Sequence, residues 1–180
     1  HMGLVRSVGE ARIGIINFDA HFDLRTADRP TSGTPFKQIA EAVDDFRYTV
    51  VGISRPNNTR VLFDEAERLG VTVVTDDELR RQSVEDIIAM AARDVDILHV
   101  SIDLDVLPAA VAPGVSAPAA VGVPLNTIRD GLAACIHTNK VKLIDIVELN
   151  PTYDVDDRTA KVAARLVSDA TSLIEETTQA

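Results

Sequence analysis

The chain has 180 residues, 46% of them hydrophobic and 26% charged, with a formal net charge of −10. That length supports one domain, 1–180, with a sizeable buried core, and no apolar run approaches the roughly 20 residues that a membrane helix needs. The acidic balance argues against nucleic acid and against an anionic membrane as partners, since both require basic patches. Cys135 is the only cysteine, which excludes an internal disulfide and any cysteine-cluster zinc site and suggests a reducing, cytoplasmic compartment. No signal-peptide pattern opens the chain, and His1-Met2 reads as a cloning remnant, set aside from fold and ligand arguments.

In chain order, Ile13 to Phe18 predicts a first strand, ending in Asn17-Phe18-Asp19. Phe36 to Asp44 gives the weakest helical pattern. Arg47 to Ile53, with Tyr48, Val50, Val51 and Ile53, predicts a second strand closed by the turn Ser54-Arg55-Pro56. Thr59 to Leu69 places Val61, Leu62, Ala66 and Leu69 on one helical face, with Gly70 as its C-terminal stop. Val71 to Val74 is a short β-branched run. Ser83 to Arg93 opens with Ser83 and Asp86, a capping-box-like pair. Asp96 to Asp103 and Val141 to Val147 complete five strands. Asn126 to Thr138 carries Ile128, Leu132 and Ile136, and Asp156 to about Glu176 carries a stripe of Val162, Ala163, Leu166 and Val167.

Alternating strands and helices predict an α/β fold of three αβα layers around a mostly parallel, doubly wound sheet. Right-handed crossovers give the spatial order 3-2-1-4-5. The first and fourth strands then meet at the switch point, beyond whose carboxyl ends such sheets bind ligands. Those two ends read Asp19-Ala20-His21-Phe22-Asp23 and Ser101-Ile102-Asp103-Leu104-Asp105. One acidic pair after a strand is usually a turn or a helix cap. Two such clusters at adjacent ends are different: four carboxylates in one crevice repel one another unless cations neutralise them. Carboxylates with imidazole suit Mn²⁺, Mg²⁺ or Fe²⁺ over zinc, and two ions roughly 3.5–4 Å apart make a hydrolytic centre. His99, inside the fourth strand, reads as a packed or hydrogen-bonded residue, and His137 as a surface complement to a helix C-terminus.

Asn17 to Asp23 resembles the Asp-Ala-His-x-Asp signature of the arginase, agmatinase and formimidoylglutamase superfamily. Ser101 to Asp105, followed by Pro113-Gly114, resembles its second signature, with Ala109 where a proline often stands. Asp145 to Pro151 resembles a third stretch, whose glutamate contacts the guanidino or formimino group. The resemblance implies an arginase-like fold with two Mn²⁺ ions. Asp19 and Asp103 would bridge them, His21 and Asp105 would complete one site, and Asp23 would bind the other ion. Glu148 would orient the substrate's cationic head, and Ser32 would help hold its amino-acid end.

His21 to Arg25 and Ser32 to Gln38 look most like formimidoylglutamases, and the absence of a His-Gly pair near Phe36 counts against arginase. The implied reaction is hydrolysis of N-formimidoyl-L-glutamate, a small-molecule amidine, to formamide and L-glutamate in histidine degradation, with Asp23 handling the proton. A second substrate carboxylate calls for a cation; Arg25 and Lys37 are candidates, Arg25 the better bidentate clamp, with Arg55 behind them. Each could instead be a solvated loop charge. Rival readings are another ureohydrolase, of agmatinase, guanidinobutyrase or arginase type, or a catalytically incomplete fragment acting as an oligomerising module. A dinucleotide-binding module is disfavoured, because no Gly-x-Gly-x-x-Gly follows the first strand. Family members also carry an upstream Gly-Gly-x-His element, unmatched here, so one metal site is expected to be incomplete. The fifth strand, apolar and at the sheet edge, is expected to mediate homo-oligomerisation or sheet extension.

Overall fold

β-Branched and aliphatic runs bounded by turns fold as strands buried between two helical layers. The computed structural model describes residues 1–179, and the strands are β1 (Ile13–Phe18), β2 (Arg47–Ile53), β3 (Thr72–Thr75), β4 (Ile97–Asp103) and β5 (Val141–Val147). All pairings are parallel and the order is β3-β2-β1-β4-β5, the arrangement expected from the crossovers. The helices are α1 (Met2–Val8), α2 (Pro35–Ala42), α3 (Arg60–Arg68), α4 (Val84–Ala91), α5 (Leu125–His137) and α6 (Arg158–Gln179).

Two cores sandwich the sheet. On one face Leu98, Val100 and Ile102 of β4 pack with Ile87 and Ile88 of α4, Ile128 and Leu132 of α5, and Leu166 of α6. On the other, Ile15, Tyr48, Val50 and Ile53 pack with Phe36 and Ile39 of α2 and Leu62 and Ala66 of α3. Ser83 caps α4, its hydroxyl accepting from the Asp86 N–H at 3.2 Å. Gly70, at φ 68, ends α3 in a left-handed turn in which the Val71 N–H reaches the Ala66 carbonyl at 2.9 Å.

One sequence expectation is corrected and one element is added. Val61 is 72% exposed and Val167 54% exposed, because the buried stripes of α3 and α6 centre on Leu62 with Ala66 and on Leu166 with Ala170. The helix α1 was not predicted; it buries no side chain, so it leaves no amphipathic pattern to read. β5 is the edge strand, as expected, and is half-exposed along its length.

β2 bends where its pairing with β3 shifts register between Val51 and Ile53. Gly52 sits there at φ 110, and a Cβ on it would lie 2.5 Å from Val106 Cγ2 and 3.1 Å from Val123 Cγ2. The bulge thus lets β2 pass close under the loop that follows β4. Gly52→Ala combines a steric clash with a disfavoured backbone conformation and is expected to destabilise the fold by roughly 2–4 kcal/mol. Denaturant unfolding checks this through a lowered midpoint at unchanged slope.

Candidate metal centre

The β1–β4 register pairs Phe18 with Ile102, so the next residues, Asp19 and Asp103, emerge side by side at the sheet's carboxyl edge. Each then makes the same turn. Asp19 Oδ1 accepts the His21 N–H at 2.6 Å, and Asp103 Oδ1 accepts the Asp105 N–H at 2.8 Å. The turn role of an aspartate and its ligand role are therefore compatible: one oxygen fixes the loop, and the carboxylate keeps lone pairs for the site. Asp19 Oδ2 in turn accepts from Asn17 Nδ2 at 2.9 Å, and that amide also meets the Tyr48 hydroxyl at 3.0 Å.

The next loop is pinned from below. Phe22 and Leu24 are fully buried, which leaves Asp23 between them facing the crevice. Asn58 staples the turn: its Oδ1 accepts from the Phe22 N–H at 3.3 Å while its Nδ2 donates to Ala20 and Ser54 carbonyls at 2.8 and 2.9 Å. Asp23 has φ 53, and across the crevice Glu148 has φ 66. Left-handed backbone at a non-glycine residue costs about 1–3 kcal/mol and persists where surrounding contacts impose it, often at functional sites.

Two sets of three donors result, each with ligand atoms within 4.8 Å of one another: Asp19, His21 and Asp105, and Asp19, Asp23 and Asp103. Asp19 belongs to both, as a bridging ligand would. Asp103 falls only in the second set. Asp19, Asp103 and Asp105 are each under 5% exposed. Burial pushes the Asp19 carboxyl up to about 6 and that of Asp23 to about 8; burial, with Asp19 and Asp105 nearby, raises that of Asp103 well above the carboxylate range. His21 Nδ1 lies 2.9 Å from Asp105 Oδ2, a contact that raises the imidazole to about 10, so a protonated ring serves as counter-charge. Asp105 Oδ1 is buried with no hydrogen-bond partner. An orphaned carboxylate oxygen among further acids and one imidazole fits a hard divalent cation, which would satisfy that oxygen and replace the proton.

Arg25, Ser32, Ser116 and Glu148 line the same crevice, and Ser116 Oγ donates to Glu148 at 3.1 Å. Two other candidate cations are elsewhere. Lys37 Nζ stands 2.9 Å from both Glu41 and Glu65, so its charge is already matched, and it faces an adjoining depression that Arg25 also lines. The Arg55 guanidinium lies 5.6 Å from the Phe63 ring centre, outside the crevice. Among the described residues, Arg25 is the crevice's one Lys or Arg. Its chain lies against Gly33, where a Cβ would meet Arg25 Cδ at 3.0 Å. Asn58, Tyr48 and Ser116 were not singled out from sequence; ordinary polar residues in loops and strands carry no spacing signal that separates them from solvated ones.

The chain belongs to the arginase family, whose model matches residues 1–172. It is 49% identical over 164 residues to formimidoylglutamase of Psychrobacter cryohalolentis, covering 87% of this chain and 47% of that one. It is 50% identical over 170 residues to formimidoylglutamase of Rhodococcus opacus, covering 91% and 53%. In structure it is similar to formimidoylglutamase of Bacillus subtilis, with a TM-score of 0.88 at 26% identity over 96% of this chain and 55% of the other. It is also similar to Trypanosoma cruzi formiminoglutamase with Mn²⁺, with a TM-score of 0.85 at 26% identity over 94% and 58%. The chain thus spans about half the length of the curated relatives it matches.

Raised acids make the metal-free fold sensitive to alkali. The fold favours protonated Asp19, Asp23 and Asp103, so their contribution weakens as pH rises from about 4, the unfolded value, through their raised folded values. His21, also raised, contributes fully below about 6.5 and loses that contribution as pH climbs toward about 10, the same sign. Glu65 and Asp96, held low chiefly by hydrogen bonds from Arg68 and Arg12, act only under acid conditions. Calorimetry in chelator should show Tm falling between about pH 5 and 8, with added Mn²⁺ flattening that slope. A Tm that rises with pH in chelator contradicts the charge balance described.

Proposed function

We propose that the chain carries the hydrolytic centre of a formimidoylglutamase, cleaving the formimino C–N bond of N-formimidoyl-L-glutamate to formamide and L-glutamate in the cytoplasm. The observation that carries this reading is the sharing of Asp19 between two donor sets, the layout of a centre for two adjacent ions. The names of the relatives, and the Mn²⁺ of the Trypanosoma cruzi neighbour, support Mn²⁺ and this substrate. Asp19 and Asp103 would bridge the two ions, with His21 and Asp105 completing one site and Asp23 the other. The His21 set, with an imidazole, would hold its ion more tightly than the all-carboxylate set.

When bound, two such ions supply Lewis acidity, making a shared water acidic and offsetting charge that develops on the amidine. The residues do the rest. Asp23, facing the crevice, takes a proton from the attacking water and returns it to the leaving nitrogen. Glu148, braced by Ser116, accepts the amidine N–H groups. Arg25 pairs with the side-chain carboxylate, and the Ser32 hydroxyl meets the amino-acid end. The crevice is otherwise acidic, so an anionic substrate end has one place to go.

A second reading, an oligomerising module that acts only with further chain or a second copy, is favoured by the half-exposed edge of β5. One experiment addresses both: the Mn²⁺-loaded chain is sized by light scattering and assayed on formimidoyl and guanidino substrates. Arg25→Ala should raise KM for N-formimidoyl-L-glutamate about tenfold or more, the loss of a charged hydrogen bond, and leave kcat within about threefold. KM for an amidine with a neutral tail should not move. A fall in kcat at unchanged KM would exclude Arg25 as the clamp, and turnover of guanidino substrates alone would reassign the substrate. An inactive monomer would sink the first reading and the second-copy form of the second.

A further inference from the structure

One half-buried acid has no part in the mechanism above. Asp145 lies on β5 opposite Ser101 of β4, and its carboxylate is tied to β4 twice on one sheet face. His99 Nε2 stands 2.6 Å from its Oδ2, and Ser101 Oγ donates to its Oδ1 at 2.6 Å. Both partners are buried at 4% exposure, while the Asp145 side chain that joins them is 35% exposed.

β5 needs such a tie. It is the edge strand, and β4 is its one neighbour in the sheet. Its register shifts between Leu98 and His99: Val141 pairs with Leu98, but Leu143 pairs with His99. A slip by one residue would turn Asp145 to the opposite face and displace the end of the strand. Three residues beyond Asp145 stands Glu148, lining the crevice at φ 66. On its far side the Asn150 N–H donates to the Gly114 carbonyl at 2.7 Å. Glu148 is therefore bracketed, with the Asp145 ties before it and the Asn150 anchor after it. Without that bracket a non-glycine residue relaxes out of left-handed backbone.

We propose that His99, Asp145 and Ser101 form a register clamp that positions Glu148 against the amidine head of the substrate. They are positioning residues, and their place in substrate binding rests on the reading that Glu148 receives the amidine. Asp145 belongs to neither donor set, so the clamp acts on substrate geometry and not on the metals.

The test uses the Mn²⁺-loaded chain with Asp145→Leu, which removes both ties at similar volume, and Asp145→Asn, which keeps groups able to bond Ser101 and His99. Two readouts are taken: amide hydrogen exchange at Val147 and Glu148, and calorimetric titration with N-carbamimidoyl-L-glutamate as the amidine probe. Asp145→Leu should speed that exchange and weaken the probe, each by about tenfold or more, with Mn²⁺ affinity within about twofold. Asp145→Asn should restore most of both. Unchanged exchange in Asp145→Leu, or a matching loss of Mn²⁺ affinity, overturns the proposal. If Asp145→Leu does not fold, Ser101→Ala, which removes one tie, must show the same pattern at smaller amplitude, and unaltered exchange there overturns it equally. If the unaltered chain binds no probe while exchange responds as described, the substrate reading fails and the clamp on Glu148 stands.

Discussion

Like-charge repulsion among Asp19, Asp103 and Asp105, buried together where β1 and β4 end, is the constraint around which the rest of the structure is arranged. Carboxylates removed from water and set beside one another are stable only when protonated or matched by positive charge. His21, inserted between Asp19 and Asp105, supplies one positive charge by holding a proton. The orphaned Asp105 Oδ1 shows that one proton does not satisfy the site. A divalent ion at each donor set would.

The sheet delivers this arrangement through local chemistry. The aspartates cap their own turns with one oxygen, so the geometry of the cluster is fixed before any ligand arrives. Preorganisation of this kind is what a catalytic centre requires, since donors already in place need not be reordered during reaction. Its cost is local strain at Asp23 and Glu148, the two left-handed residues that face each other across the crevice. Buried Phe22 and Leu24 with the Asn58 staple hold the first; the Asp145 ties and the Asn150 anchor hold the second.

Much of this was legible in the sequence, for physical reasons. β1, β2 and β5 begin and end where predicted, because apolar runs bounded by polar turn residues leave little choice of boundary. Strand order followed from crossover handedness, and the adjacency of the two acidic clusters followed from strand order. Roles that depend on where a long side chain comes to rest were not legible. Side-chain chemistry favours Arg25 over Lys37 as a clamp, but only the structure shows Lys37 drawn to Glu41 and Glu65 while Arg25 lies across Gly33 at the crevice. Val61 and Leu62 are neighbours of equal character, and only the tilt of α3 on the sheet decides which is buried. Asp145 was visible within a motif, but its bonds to His99 and Ser101 depend on the shifted register of β5, which no pattern announces.

The most direct measurement of the central claim is anomalous diffraction at the manganese edge from crystals of the chain soaked in Mn²⁺. The account predicts a strong peak in contact with Asp19, His21 and Asp105, and a weaker one in contact with Asp19, Asp23 and Asp103. A crevice without any peak, its carboxylates left in place around the His21 proton, would contradict it.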